Sequence, residues 1–136
     1  MKKIIIYLML LIPAFVMAAN PVTNYTIKYQ KLLEFESDEW GTYIKYEAAQ
    51  DGNDAEFNCN ILYFSLSSKY EIGKAYSLSD FDIAYVLNQF GAKRHNFTEL
   101  SITFGENHSF ILNGYAKDVR DDEDEAVDFN IQATYK

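Results

Sequence analysis

Val127, Phe129, Ile131, Ala133 and Tyr135 alternate without a break with Asp128, Asn130, Gln132 and Thr134. Side chains along a strand point to opposite faces with a period of two. A run of this kind can bury one face and wet the other only as a β-strand. The same period recurs along the chain. Tyr25, Ile27 and Tyr29 alternate with Thr26, Lys28 and Gln30, and the pattern resumes at Leu33 and Phe35. Trp40, Thr42, Ile44 and Tyr46 alternate with Gly41, Tyr43, Lys45 and Glu47. Leu100, Ile102 and Phe104 alternate with Glu99, Ser101 and Thr103, and Phe110, Leu112, Gly114 and Ala116 continue on one face. Nothing after Pro21 removes a ladder donor, because the rest of the chain holds no proline. Aromatic residues, which favour strands, make up 16% of the chain. These features predict one all-β, mainly antiparallel domain over residues 20–136, built as a small β-sandwich or barrel.

Other stretches are less regular. Residues 57–66 read as a strand that pairs with the 40–47 strand across a turn at Asp51, Gly52, Asn53 and Asp54. Its apolar phase slips between Ile61 and Leu62, which signals a bulge or a stretch buried on both faces. Phe57, Cys59 and Ile61 alternate with two asparagines there, which places Cys59 on an apolar face, buried and without a disulfide partner in the chain. Residues 77–91 carry two conflicting signals. Ser79 with Asp82 resembles a capping box and Gly91 a helix stop, which allows one short helix at about 79–90. A strand instead lines up Phe81, Ile83, Tyr85 and Leu87, and is the preferred reading. Gly105 to His108 reads as a turn, and Asn113-Gly114 as a competing one.

The N-terminus has its own logic. Lys2 and Lys3 precede an apolar run from Ile4 to Val16, and Val16-Met17-Ala18 and Met17-Ala18-Ala19 both present small-residue cleavage sites. The run is short for a bilayer span, and Pro13 interrupts it. Residues 1–19 therefore read as a cleaved secretory signal, and the protein as secreted or periplasmic. Cleavage removes two lysines and no acid. The 12 basic residues become 10 against 20 acids, and the net charge moves from −8 to −10. Such a charge repels phosphate backbones and anionic lipid, which argues against nucleic acid and, after cleavage, against membrane. It favours a basic protein as partner.

No catalytic residue emerges. His95 and His108 read as two isolated, solvated loop histidines. There is no Gly-x-Ser-x-Gly elbow, no Cys-x-x-Cys or other zinc spacing and no glycine-rich phosphate loop. No cofactor and no metal are assigned. Three glycosylation sequons begin at Asn24, Asn96 and Asn107; they matter only in a eukaryotic secretory pathway.

The densest feature runs from Asp118 to Asp128, where seven of eleven residues are acidic. A calcium loop would want an alternating Asp pattern and a glycine, and the run has neither. It reads first as a solvated hairpin tip that guards two strands against aggregation, and second as a docking surface for a basic partner. Asp121, Asp122, Glu123, Asp124 and Glu125, with Trp40 as an accessible aromatic, are the candidate binding residues. The leading expectation is an exported, non-enzymatic acidic β-domain that binds another protein, of inhibitor or immunity type. The alternative is an exported ligand- or glycan-binding module that uses exposed aromatics. A small exported hydrolase working with paired carboxylates comes third.

Overall fold

Strands patterned for one dry face need that face covered, and this chain covers it by closing the sheet on itself. The computed structural model describes residues 20–49, 52–91, 93–119 and 126–136. Its elements are β1 (Val22–Asp38), β2 (Gly41–Ala48), α1 (Asp54–Asn58), β3 (Ile61–Leu66), β4 (Ala75–Ser77), β5 (Phe81–Asn88), β6 (Lys93–Phe104), β7 (Phe110–Asp118) and β8 (Asp128–Tyr135). Seven strands form a ring in the order β6-β5-β3-β2-β1-β8-β7, which returns to β6. The neighbours are antiparallel except β1 and β8, which run parallel from Val22 opposite Asp128 to Tyr29 opposite Tyr135. β4 lies outside the ring, paired with Ser101 to Thr103 of β6. The fold is an all-β small barrel; the sandwich does not form.

The barrel is filled, not hollow. Tyr46, Phe64 and Phe104 are its largest fully buried side chains, packed with Ile27, Ile44 and Leu62. Tyr46 sits among Phe110 and Tyr135 at ring separations of 4.7 and 5.0 Å, and its hydroxyl donates to the His108 carbonyl at 2.7 Å. Each buried hydroxyl needs such a partner. Gly114 is not a turn residue. It lies inside β7, where a Cβ would come 2.6 Å from the Phe97 ring, so the strand continues through Asn113-Gly114 because only glycine leaves room for that ring.

The strand readings hold in kind, with several corrections in detail. The break in alternation after Tyr29 comes from two register shifts within one long β1, at Tyr29/Lys31 and Leu32/Glu34. Residues 57–60 are not strand. Asn53 caps α1, its side chain accepting from the Glu56 amide at 3.1 Å, so the expected turn at 51–54 becomes a helix start in its described part. Cys59 ends that helix, fully buried and free. β2 and β3 do pair antiparallel, and Ile61 and Leu62 are both buried although they point to opposite faces. Residues 81–88 are strand, and the helix allowed at 79–90 does not form. The capping box lies earlier, between Ser77 and Asp80, around a single 3₁₀ turn at Leu78–Asp80.

The face of β5 is reversed. Ala84, Val86 and Asn88 point inward, and Ile83, Tyr85 and Leu87 point outward. A register shift against Ser65/Leu66 keeps Phe81 against the core and then flips the phase. Ala84 lies opposite Phe64, whose ring takes up the interior at that level, so a small residue belongs inside. The signal-peptide expectation for residues 1–19 lies outside the described residues.

Candidate protein-binding face

The reversal of β5 turns an aromatic row outward. β2, β3 and β5 are neighbours in the ring, with Lys45 opposite Tyr63 and Tyr63 opposite Tyr85. Tyr43, Tyr63 and Tyr85 all lie on the outer phase of these strands. Their rings touch in sequence, Tyr43 to Tyr63 at 5.6 Å edge-on and Tyr63 to Tyr85 at 5.1 Å. Arg94 of β6 closes the row, its guanidinium 4.1 Å from the centre of the Tyr85 ring and its Nε donating to Asn96 Oδ1 at 2.7 Å. The row therefore crosses four strands and ends on a cation held in place.

A second line runs lengthwise. Ile61 and Leu87 are a cross-strand pair on the same outer phase as Tyr63 and Tyr85. At the rim beyond them, Phe57 of α1 and Phe90 of the β5–β6 turn stack face to face at 5.7 Å, and both are exposed. Ile83 is exposed at the other end of the line. On the outer wall of β3 and β5 Ile61 is buried and Ser65 stands opposite Ile83, so the accessible apolar groups are Tyr63, Tyr85, Leu87 and Ile83, with Phe57 and Phe90 at the rim. Accessible aromatic and apolar groups gathered on one face make this the candidate site.

Electrostatics agree with a packed row. Burial, then the neighbouring Tyr43, Tyr85 and Glu34, push the Tyr63 hydroxyl up to about 12. Arg94 stands at the end of the row, and Lys45, opposite Tyr63 and 3.9 Å from Glu34, stands beside it.

The sequence-derived candidates fall elsewhere. Trp40 is 81% exposed in the turn between β1 and β2, where the Asp38 carboxylate accepts from its backbone amide at 2.8 Å. It makes no ring contact among the described residues and stands apart from the tyrosine row. Asp121, Asp122, Glu123, Asp124 and Glu125 lie outside the described residues. Of the sequons, Asn24 and Asn96 sit within strands and Asn107 in an exposed turn.

Both histidines depart from the expectation of solvated loops. His95 lies in β6, 1% exposed, stacked on Phe129 at 3.9 Å. Its Nε2–H donates to the Val127 carbonyl at 2.7 Å, with Asp118 Oδ2 4.0 Å away. Burial lowers its pKa from the ordinary value, against the raising pull of the Val127 carbonyl and the Asp118 carboxylate. Asp118 in turn lies 3.5 Å from Lys93, and Asp128 accepts from Tyr115 at 3.0 Å and from Asn20 at 3.2 Å. His95 thus fastens the start of β8 to β6 and serves the fold. The sequence concealed this because Lys93-Arg94-His95-Asn96 looks like a polar loop; inward His95 and Phe97 carry the only trace of a strand. His108 does lie in the predicted turn, with φ at +61° after Asn107 at +56°. It is only half exposed, packed 4.1 Å from Phe35 with Nδ1 3.4 Å from the Tyr70 hydroxyl. Those contacts hold a backbone conformation that non-glycine residues seldom adopt.

Among the described residues no three His, Cys, Asp or Glu side chains converge as metal ligands. Cys59 is walled off from reagents, and burial raises its thiol well above the ordinary range. No known protein family, curated protein or solved structure matches the chain.

Proposed function

We propose that this chain is an exported acidic barrel that binds another protein, of inhibitor or immunity type, through the outer wall of β2, β3 and β5. The observation that carries the reading is the contiguous Tyr43–Tyr63–Tyr85–Arg94 row. Tyrosine and arginine are enriched at the energetic centres of protein interfaces. They offer large, rigid contact areas with polar tips at low entropic cost. Three rings that brace one another have little rotamer freedom left to lose on binding.

The partner is basic on the argument of charge. The mature chain carries −10, and the acidic run from Asp118 to Asp128 adds a steering field that speeds encounter and fades with salt. A glycan-binding module would draw on the same aromatics. The rings of Tyr43 and Tyr63 stand at 78° to each other, and those of Tyr63 and Tyr85 at 31°, so they offer no common plane for a sugar ring to lie on. Protein therefore comes before glycan as the occupant.

The experiment is affinity capture from the secreted or periplasmic fraction with the mature chain and with a Tyr63→Ser/Tyr85→Ser double variant. The reading expects one basic protein held by the first and lost by the second. Capture of a glycan or small molecule, with no protein, would replace it by the ligand-binding alternative.

A further inference from the structure

The ring that closes the barrel leaves one long strand edge without a neighbour. β1 is paired with β8 only from Val22 to Tyr29, and with β2 from Tyr29 to Asp38. β8 stops at Tyr135, so residues 30–38 have no strand on the β8 side among the described residues. The register shifts of β1 end before Glu34, which leaves residues 34–38 as regular strand. Its backbone donors and acceptors on that side face outward for about 17 Å at the usual rise per residue. Among the described residues the other open stretches are shorter: Phe81 to Ala84 of β5, Phe97 to Leu100 of β6, and the three-residue outside strand β4.

Two hollows lie at the end of β8, where β1 leaves it, and neither is lined by residues 31–38. One, of about 220 Å³, sits in the fork where β1 leaves β8, between Lys28, Gln30, Thr134 and Lys136. The other, of about 540 Å³, begins at Thr134, Tyr135 and Lys136 and extends to Phe110, Ile111 and Ile72, with Glu106 beside it. Its lining is mainly apolar, and Ile72 and Ile111 are exposed. An unpaired edge is the feature that strand addition uses. Main-chain hydrogen bonds supply affinity there, and the side chains flanking the added strand supply selectivity.

The charges on this edge say what fits it. Glu34, Glu36 and Asp38 occupy the outer phase of β1 in succession, all exposed, while Leu32, Phe35 and Ser37 lie on the half-buried phase. Residues directly opposite on a neighbouring strand share a face, so an added strand sets alternate side chains beside three carboxylates. A second copy of this edge would bring carboxylates against carboxylates, which is the usual protection of an edge against self-pairing. A strand whose outer positions are lysine or arginine turns that repulsion into attraction.

We infer that residues 34–38 of β1 accept an extended segment of a partner protein as an added strand, one in which basic residues alternate with apolar ones. The apolar side chains lie on the phase of Phe35 and Ser37, and the basic ones lie beside Glu36, whose carboxylate has no ion pair among the described residues, and beside Glu34 and Asp38, which are already held by Lys45 and by the amides of Trp40 and Gly41. This edge borders the tyrosine wall, with Glu36 opposite Tyr43 and Glu34 opposite Lys45, but the added strand would pair on the far side of β1, so protection of residues 34–38 tells the two surfaces apart.

The test uses the full mature chain and a synthetic octapeptide of alternating lysine and valine, read by amide hydrogen exchange at single-residue resolution. At saturation, exchange within residues 34–38 should slow at least about tenfold, and the protection should fade as salt rises. Glu36→Lys, which touches no ion pair among the described residues, should weaken binding about tenfold while leaving the circular dichroism spectrum unchanged. Three results would overturn the inference. The peptide protects only amides of β3 and β5, or nothing. An octapeptide of alternating glutamate and valine protects residues 34–38 equally well. Or those amides become protected as the chain alone is concentrated, which would make a second copy the occupant.

Discussion

Two walls of the same barrel carry different exteriors on equivalent interiors. The middle of the wall of β1, β7 and β8 presents Asn24, Thr26, Lys28, Asn113, Asn130 and Gln132, all exposed and all polar, with Val22 and Ile111 exposed toward its two ends. The wall of β2, β3 and β5 presents Tyr43, Tyr63, Tyr85, Leu87 and Ile83. Inside, both are dry: Ile27, Leu112 and Ile131 on one, Ile44, Phe64 and Val86 on the other. Folding requires the inner set, and water is satisfied by the outer polar set. Neither requirement explains three tyrosines braced in a row on the outside, which the proposed recognition role would.

The largest effect separates inside from outside. Phe64→Ala removes a fully buried ring from the centre of the barrel and should cost about 3–5 kcal/mol of stability in chemical denaturation. Tyr63→Ala, two strand faces away in chemistry and one residue away in sequence, should cost about 1 kcal/mol or less beyond its lost ring contacts. Equal costs would mean the tyrosine wall is structural.

Next in size is the effect on binding. Tyr63→Ala or Tyr85→Ala should weaken the partner complex by about 2 kcal/mol or more, roughly 30-fold, while Gln132→Ala should leave it within about twofold. Removal of Arg94 as Arg94→Ala should act mainly through the Tyr85 contact it braces. Calorimetric titration against the purified partner measures all four.

How far the sequence led depends on which face is asked about. Strand identity was legible wherever alternation was strict, as at 127–135 and 100–104, because burial of one face writes the period directly. The tyrosine wall was not. Tyr43 stood on the polar phase of its strand, a visible anomaly. Tyr63 lay in a stretch whose phase slipped. Tyr85 was assigned inward with Ile83 and Leu87, because four apolar residues in line outweigh Ala84, Val86 and Asn88. What decides the matter is a ring from β3, Phe64, lying opposite Ala84, and a long-range contact leaves no mark in local spacing. His95 was missed for a related reason: its partner Val127 is 32 residues away.

A smaller effect sits in the alkaline range. The Tyr63 hydroxyl is raised to about 12 from an ordinary value near 10. The folded chain therefore holds this proton more tightly than the unfolded one. The stability it contributes is full below about pH 10 and is lost as the pH rises from about 10 through 12. Ultraviolet titration should find a late-ionising tyrosine that Tyr63→Phe removes, and that variant should show a shallower alkaline loss of stability. An unchanged titration would place Tyr63 in ordinary solvent and break the braced row.

The smallest effect lies in acid. His95 is held below its ordinary pKa, so the folded chain binds that proton more weakly than the unfolded one. Its contribution is full above about pH 6.5 and falls away as the pH drops toward its lowered folded value. His95→Gln keeps an N–H for the Val127 carbonyl and cannot take the charge. Its stability profile between about pH 6.5 and 5 should be flatter than that of the unaltered chain. A parallel slope would show that His95 is solvated in the folded state.

The central claim is that the aromatic exterior is there for a partner. Its most direct measurement is the dissociation constant of the captured basic protein for three chains. They are the unaltered mature chain, a Tyr63→Ser/Tyr85→Ser variant, and an Asn113→Ser/Gln132→Ser variant of the polar wall, each checked for an unchanged β spectrum. The account predicts that the tyrosine variant loses at least about 30-fold in affinity while the polar-wall variant stays within about twofold. Equal affinity for all three chains would contradict it.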